Sequence, residues 1–285
     1  MAETTGIAWT DSTFNPWIGC TKVSPGCDHC YAEALDARYQ YGTKKENRLI
    51  NAAPHWGPGA KRWRTSETNW RKPLEWNQTA MLNGKRHLVF CASMADVFDN
   101  EVPDKWREDL WKLIEHTPYL TWLLLTKRIG NAARMLRGWS WPNVWLGASV
   151  VDQAEADRDI PKLLATPAAK RFVSYEPALG PVDFTRFFPG DLHWIIVGGE
   201  SAQTTPGTRK AKARHFDVHW ARETIRQCKA AGVACFVKQL GSNASTDHRT
   251  RPEGEAFYWT KLLRERAGAD PAEWPVDLRV QEFPS

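Results

Sequence analysis

The feature that most constrains the fold is an alternation of two unlike patterns. Short continuous apolar runs alternate with stretches of helical periodicity between residues 87 and 239. The runs are 87–91 (HLVFC), 119–125 (YLTWLLL), 144–147, 171–174, 192–197 (LHWIIV) and 233–237. Strands this apolar are buried on both faces, and helices placed between them make successive strands parallel. Residues 103–115 carry Trp106, Leu110, Leu113 and Ile114 at helical spacing, and Pro103 suits the first turn. Further helices are expected over 31–42, through Met135, over 152–164 and over 216–231, the last closed by Gly232. A seventh apolar run lies around 14–18. The expectation is an α/β fold: a parallel, partial TIM-like barrel of six or seven βα units.

Nearly every run hands over to a polar or charged residue. In order these are Cys20, Ser93 and Asp96, Thr126 and Lys127, Ser149, Glu176, Glu200, and Lys238. In a parallel barrel those strand ends converge on one rim, where ligands bind. Any strand must end in polar loop residues, but that does not account for three cysteines after the first run. Lys127 and Lys238 each end an apolar strand directly, so each needs an anionic partner or a route to solvent. Gly198-Gly199-Glu200 reads either as a tight turn after a buried strand or as part of a site.

The stretch 19–31, GCTKVSPGCDHCY, holds Cys20, Cys27 and Cys30, three of the six cysteines. The N-terminal MAETTGIAWTD has neither a basic region nor an apolar core, so no secretory signal is expected and the compartment is read as the reducing cytoplasm. There, clustered cysteines bind metal or catalyse rather than pair as disulfides. A closed zinc site needs a fourth ligand, and the candidates His29 and His55 make no familiar paired spacing. A [4Fe–4S] cluster takes four thiolates, so three leave one iron open. Cys91 sits inside a strand run, and Cys228 and Cys235 lie far along the chain. Pro25-Gly26 supplies a turn that folds the loop back. Spacing alone leaves three readings: an open cluster, zinc, and unligated thiols.

Gly6-Ile7-Ala8-Trp9-Thr10-Asp11, Asn15-Pro16 and GCTKVSPGCDHCYAE are followed by SMADVF, LLTKR, NVWLGASV, RFVSYEPALGPVDF, IIVGGES and QCKAAGV to KQLG. In these motifs, in order over residues 5–241, the chain resembles the phage-associated family of three-cysteine, radical-SAM-like proteins. The resemblance implies a radical-SAM-type partial barrel holding a [4Fe–4S] cluster on Cys20, Cys27 and Cys30, with S-adenosylmethionine on the open iron. It implies that one electron, from a reductase or flavodoxin-type donor, cleaves the sulfonium C–S bond and releases a 5′-deoxyadenosyl radical. A fourth thiolate would close the iron and abolish that reaction. Two departures stand out. Six residues separate the first two cysteines where CxxxCxxC is commonest. The strand after the cluster ends in Ser93-Met94-Ala95-Asp96 where such proteins usually carry a Gly-Gly-Glu-like motif, and residues 198–200 come four strands later. The implied cofactor roles are Asp96 or Ser93 for the amine, Lys127 for the carboxylate, and Ser149 or Glu176 for ribose or substrate. Glu200 and Lys238 are further rim candidates.

The net charge of +5 is local: residues 44–86 hold ten Lys or Arg against three Glu. Trp56, Trp63, Trp70 and Trp76 fall in the same segment. Arg62-Trp63-Arg64 and Trp70-Arg71-Lys72 interleave cations with aromatic faces, which suits a nucleic-acid backbone with stacked bases. The competing reading is a solvated lid whose tryptophans pack on the barrel. A second basic run, 209–214, follows Glu200. Residues 43–86 show no clear periodicity and carry Pro54, Gly57, Pro58, Gly59 and Pro73, so a long loop or small subdomain is expected. The expected substrate is a nucleobase in DNA, RNA or a nucleotide. The alternatives are a small-molecule substrate and a non-catalytic zinc-bearing nucleic-acid-binding module. The barrel is expected over 1–241 and a charged, Pro-rich extension over 242–285, with one helix near 259–266. No apolar run nears the ~18 residues of a membrane helix. No GxxxxGK[ST] loop, HExxH pair or GxSxG elbow is present.

Overall fold

The computed structural model describes residues 5–43, 55–138, 141–203, 212–246, 257–258 and 262–285. In chain order the strands are β1 (Ser12–Phe14), β2 (Trp17–Ile18), β3 (Trp63–Arg64), β4 (His87–Cys91), β5 (Leu120–Thr126), β6 (Val144–Ser149), β7 (Lys170–Tyr175), β8 (Trp194–Gly198), β9 (Phe216–Asp217), β10 (Ala234–Gln239), β11 (Ala244–Thr246) and β12 (Phe257–Tyr258). The helices are α1 (Tyr31–Thr43), α2 (Glu67–Asn83), α3 (Asp104–Glu115), α4 (Ile129–Leu136), α5 (Gln153–Ala165) and α6 (Val218–Ala231). Seven strands, ordered β1-β4-β5-β6-β7-β8-β10, form one sheet in which every pair is parallel. β1 and β10 are its two edges, so the sheet curls into a half-barrel rather than a closed one. All seven expected runs are strands, but β1 ends at Phe14, and Trp17–Ile18 forms a separate ribbon with β3. Between β7 and β8 a short 3-10 turn, Thr185–Phe187, replaces a helix and breaks the βα repeat.

Alternation along each strand divides the apolar residues between two cores. Phe90, Leu123, Trp145, Phe172, Trp194, Ile196 and Phe236 share one face and cluster with Trp9. Among the described residues no helix residue joins that cluster, so it fills the concave interior. Val89, Trp122, Leu124, Leu146, Val173, Ile195 and Val237 share the other face and pack with Leu110 and Ile114 of α3, Ile160 of α5 and Ala221 of α6. The interior plug is tight: a Cβ on Gly147 would lie 2.4 Å from the Phe172 ring.

The exposed edge of β10 is covered by the chain's last residues. Val237 N–H donates to the Val280 carbonyl at 2.8 Å, and Glu282 N–H donates to the Cys235 carbonyl at 2.9 Å. Trp194 Nε1 donates to the Glu282 carbonyl at 2.8 Å. The Phe283 ring packs on Trp194 and Phe236.

Residues 43–86 differ from the expected loop. The stretch 44–54 lies outside the described residues, but Glu67–Asn83 is a helix capped by the Ser66 hydroxyl, with Pro73 inside it. Burial of Trp70, Pro73 and Ala80 along one face outweighs the helix-breaking tendency of the proline. The expected helix near 259–266 falls partly outside the described residues, and 262–266 are turns and bends.

Candidate active site

The three clustered cysteines sit on a loop over the C-terminal ends of the sheet strands. Gly19 enters it with φ +110°, and a Cβ there would lie 2.3 Å from the His55 carbonyl. Ser24 caps the 3-10 turn Pro25–Cys27 by accepting from Gly26 N–H, and Cys30 directly precedes α1. All six cysteines are free thiols. Cys20, Cys27 and Cys30 line one cavity of about 460 Å³ together with Trp9, Phe90, Lys127, Ser149, Glu176, Glu200 and Lys238. Burial pushes the Cys20 thiol up to about 12, Asp96 adds to the shift and Arg128 opposes it. Burial also raises Cys30, against the nearby charge of Lys127. Among the described residues, no three His, Cys, Asp or Glu side chains gather as for a single metal ion.

The β5 end supplies an acid–base network. Asp96 is buried, and it accepts from Thr126 Oγ1 at 2.8 Å, Phe98 N–H at 2.9 Å, Lys127 N–H at 3.2 Å and Arg128 Nη1 at 3.2 Å. Both its oxygens are therefore spent within the protein. Arg128 Nη1 also donates to Cys20 Sγ at 3.1 Å. Sequence reading missed Arg128 because Cys20 lies far away in the chain. Lys127 lines the cavity close enough for its charge to act on Cys30, and among the described residues no hydrogen bond or ion pair holds its ammonium. Ser93 lines the cavity, with its hydroxyl 3.1 Å from Asn15 Nδ2, and its carbonyl accepts from the Tyr31 hydroxyl at 2.8 Å.

At the β8 end Glu200 clamps the cysteine loop. Its Oε2 lies 2.8 Å from His29 Nδ1 and also accepts from Arg214 N–H at 2.8 Å. The Arg214 guanidinium adds an ion pair to Glu200 and donates to the Pro25 carbonyl at 2.8 Å. Burial pushes the Glu200 carboxyl up, but hydrogen bonds from Arg214 and His29 outweigh it and hold the group below the usual carboxylate range.

The opposite wall is built by β6, β7 and β10. Lys238 Nζ pairs with Glu176 Oε1 at 3.0 Å. Ser174 Oγ donates to Glu176 Oε2 at 3.3 Å, and Ser149 Oγ donates to the Glu176 carbonyl at 3.3 Å. This answers the requirement that Lys238 find an anion.

The basic, Trp-rich segment is divided: Lys61, Arg71, Lys85 and Arg86 are exposed, while other residues turn inward. Arg62 is buried and bonded to Asp99 and to the carbonyls of His55, Gly57 and Ala60. Arg64 pairs with Asp109 and lies 3.9 Å over the Trp70 ring, which is buried. Trp56 lines the cavity, and Trp63 remains 53% exposed. Of the expected nucleic-acid platform, Arg62, Arg64 and Trp70 are therefore committed to internal packing. In the second run, 209–211 lie outside the described residues, and Arg214 is committed to Glu200.

Among solved structures, the chain is similar to a mutant of spore photoproduct lyase, with TM-score 0.45, 10% identity, and 83% of this chain and 80% of that chain covered. It is also similar to a double mutant of spore photoproduct lyase with bound AdoMet and dinucleoside spore photoproduct, with TM-score 0.44, 10% identity, and 80% of this chain and 76% of that chain covered. No curated protein matches. Residues 4–268 match the family described as "Protein of unknown function (DUF5131)", and with all but the two ends of its sequence inside that match the chain belongs to this family.

Proposed function

We propose that this chain is a radical S-adenosylmethionine enzyme in which Cys20, Cys27 and Cys30 hold a [4Fe–4S] cluster. The observation that carries the reading is that three free thiols of one loop line a single cavity over the strand ends of a parallel half-barrel. The donor set fits. A four-iron cluster seats each thiolate on a different iron, so it asks for three separated sulfurs rather than three ligands around one ion.

When bound, the cluster and S-adenosylmethionine supply one-electron cleavage of a sulfonium C–S bond and, through it, hydrogen-atom abstraction from an unactivated carbon. The chain's own residues bind and orient. Lys127, the cavity-lining cation without an ion pair among the described residues, would meet the methionyl carboxylate. Ser93 faces the amine, and Ser149 the ribose. Asp96 and Glu200, whose oxygens are already spent, position Arg128 and the cysteine loop instead of touching the cofactor. Glu176 and Lys238 face the substrate from the far wall. Trp9 and Phe90 close the interior against water. The electron comes from an external donor of reductase or flavodoxin type.

The inward use of Arg62, Arg64, Trp70 and Arg214 favours a substrate that enters the cavity, a nucleotide or another small molecule, over a polynucleotide tracked by residues 44–86. Anaerobic reconstitution with iron and sulfide, followed by dithionite and S-adenosylmethionine, tests the chemistry. 5′-Deoxyadenosine is expected from the wild type and from none of Cys20→Ala, Cys27→Ala and Cys30→Ala. Its absence from fully loaded wild type, or its normal formation in any one variant, contradicts the reading.

A further inference from the structure

We infer that Arg128 is a positioning residue that sets the reduction potential of the metal centre through Cys20; the inference rests on the cluster reading above. The three cysteines are not equivalent. Cys20 Sγ receives Arg128 Nη1 at 3.1 Å, while Arg128 Nη2 donates to the adjoining Thr21 carbonyl. Among the described residues, neither Cys27 nor Cys30 receives a side-chain hydrogen bond on sulfur. The guanidinium thus grips both the first ligand's sulfur and the backbone that carries it.

The grip is fixed from behind. The Arg128 side chain is 8% exposed and lies 3.2 Å from Asp96 and 3.9 Å from Asp99. Asp96 is held by Thr126, Phe98 N–H and Lys127 N–H, and Asp99 pairs with buried Arg62 at 2.9 Å. Arg62 also pairs with Glu101 at 3.0 Å, so two guanidinium groups face three carboxylates and Arg128 is fully ion-paired. What remains for the sulfur is a directed N–H in a nearly water-free setting. Such donors to ligand sulfurs are one of the levers that set iron–sulfur potentials, because they stabilise the added electron. A lysine keeps the charge but cannot hold sulfur and carbonyl together with a planar fork.

The test compares wild type, Arg128→Lys and Arg128→Met after anaerobic reconstitution. Iron and sulfide are counted, and the midpoint potential is read by a redox titration followed by electron paramagnetic resonance. Full clusters are expected in all three proteins, with the most negative potential in Arg128→Met and an intermediate one in Arg128→Lys. A fully loaded Arg128→Met with an unchanged or more positive potential overturns the inference. Should Arg128→Met fold, by circular dichroism, yet lose its cluster, Arg128→Lys decides, and an unchanged potential there overturns it. A wild type that takes up no iron removes the cluster reading and this inference together. A wild type that loads iron, beside variants with unmoved potentials, removes this inference alone.

Discussion

Lys127 and Asp96 lie 31 residues apart in sequence, and the network divides their labour sharply. Asp96 has no lone pair to spare for a ligand, whereas Lys127 offers its ammonium to the cavity. Lys127→Met is therefore expected to weaken S-adenosylmethionine binding roughly ten- to hundredfold, since a hydrogen bond to a charged group is worth about 1.5–3 kcal/mol. Calorimetry on the reconstituted protein checks this, with iron content unchanged; unaltered affinity would remove Lys127 from the cofactor site. At this scale the sequence was legible where chemistry is carried by a residue's own type and place. The three cysteines, and the polar residues ending the strands, line a common cavity. Partnerships across the chain were not legible. Nothing local in GGES announces that Glu200 holds His29 and Arg214, and LLTKR does not reveal that its arginine reaches Cys20.

The strands were readable because burial on both faces leaves uninterrupted apolar runs: six such runs became parallel strands, while the run around 14–18 divides between the end of β1 and the separate β2. α2 was hidden because its helical face is short and interrupted by Pro73, and only packing against β4 and β5 makes the helix worthwhile. The edge strand β10 poses a different problem, since an uncovered edge invites pairing with other chains. Residues 280–282 cover it, and no periodicity in so short a stretch foretells that. Deleting residues 280–285 is expected to cost roughly 2–5 kcal/mol, from about four hydrogen bonds at about 1 kcal/mol each. Urea unfolding of the metal-free chain reads this loss, together with concentration-dependent association. A truncated chain with an unchanged midpoint would show that the tail contributes nothing to the sheet.

For the whole molecule, the buried thiols link stability to pH. Cys20 has its pKa raised in the fold from an ordinary 9.0 to about 12, and burial shifts Cys30 in the same direction. A raised acid binds its proton more tightly in the native state, so the contribution is complete below the unfolded value and is lost as pH climbs from about 9 towards 12. The metal-free chain should accordingly show a falling urea midpoint above about pH 9. A midpoint that stays level through that range would mean the thiols are not buried as described. Loading a metal requires those thiolates, so it should release protons and stabilise the fold. The proposed function requires a centre built from iron and sulfide on the loop of free cysteines. Elemental analysis of anaerobically reconstituted protein tests that most directly. About four irons and four sulfides per chain are expected, falling away in each of the three cysteine variants. Zinc near one per chain with no iron uptake would contradict it.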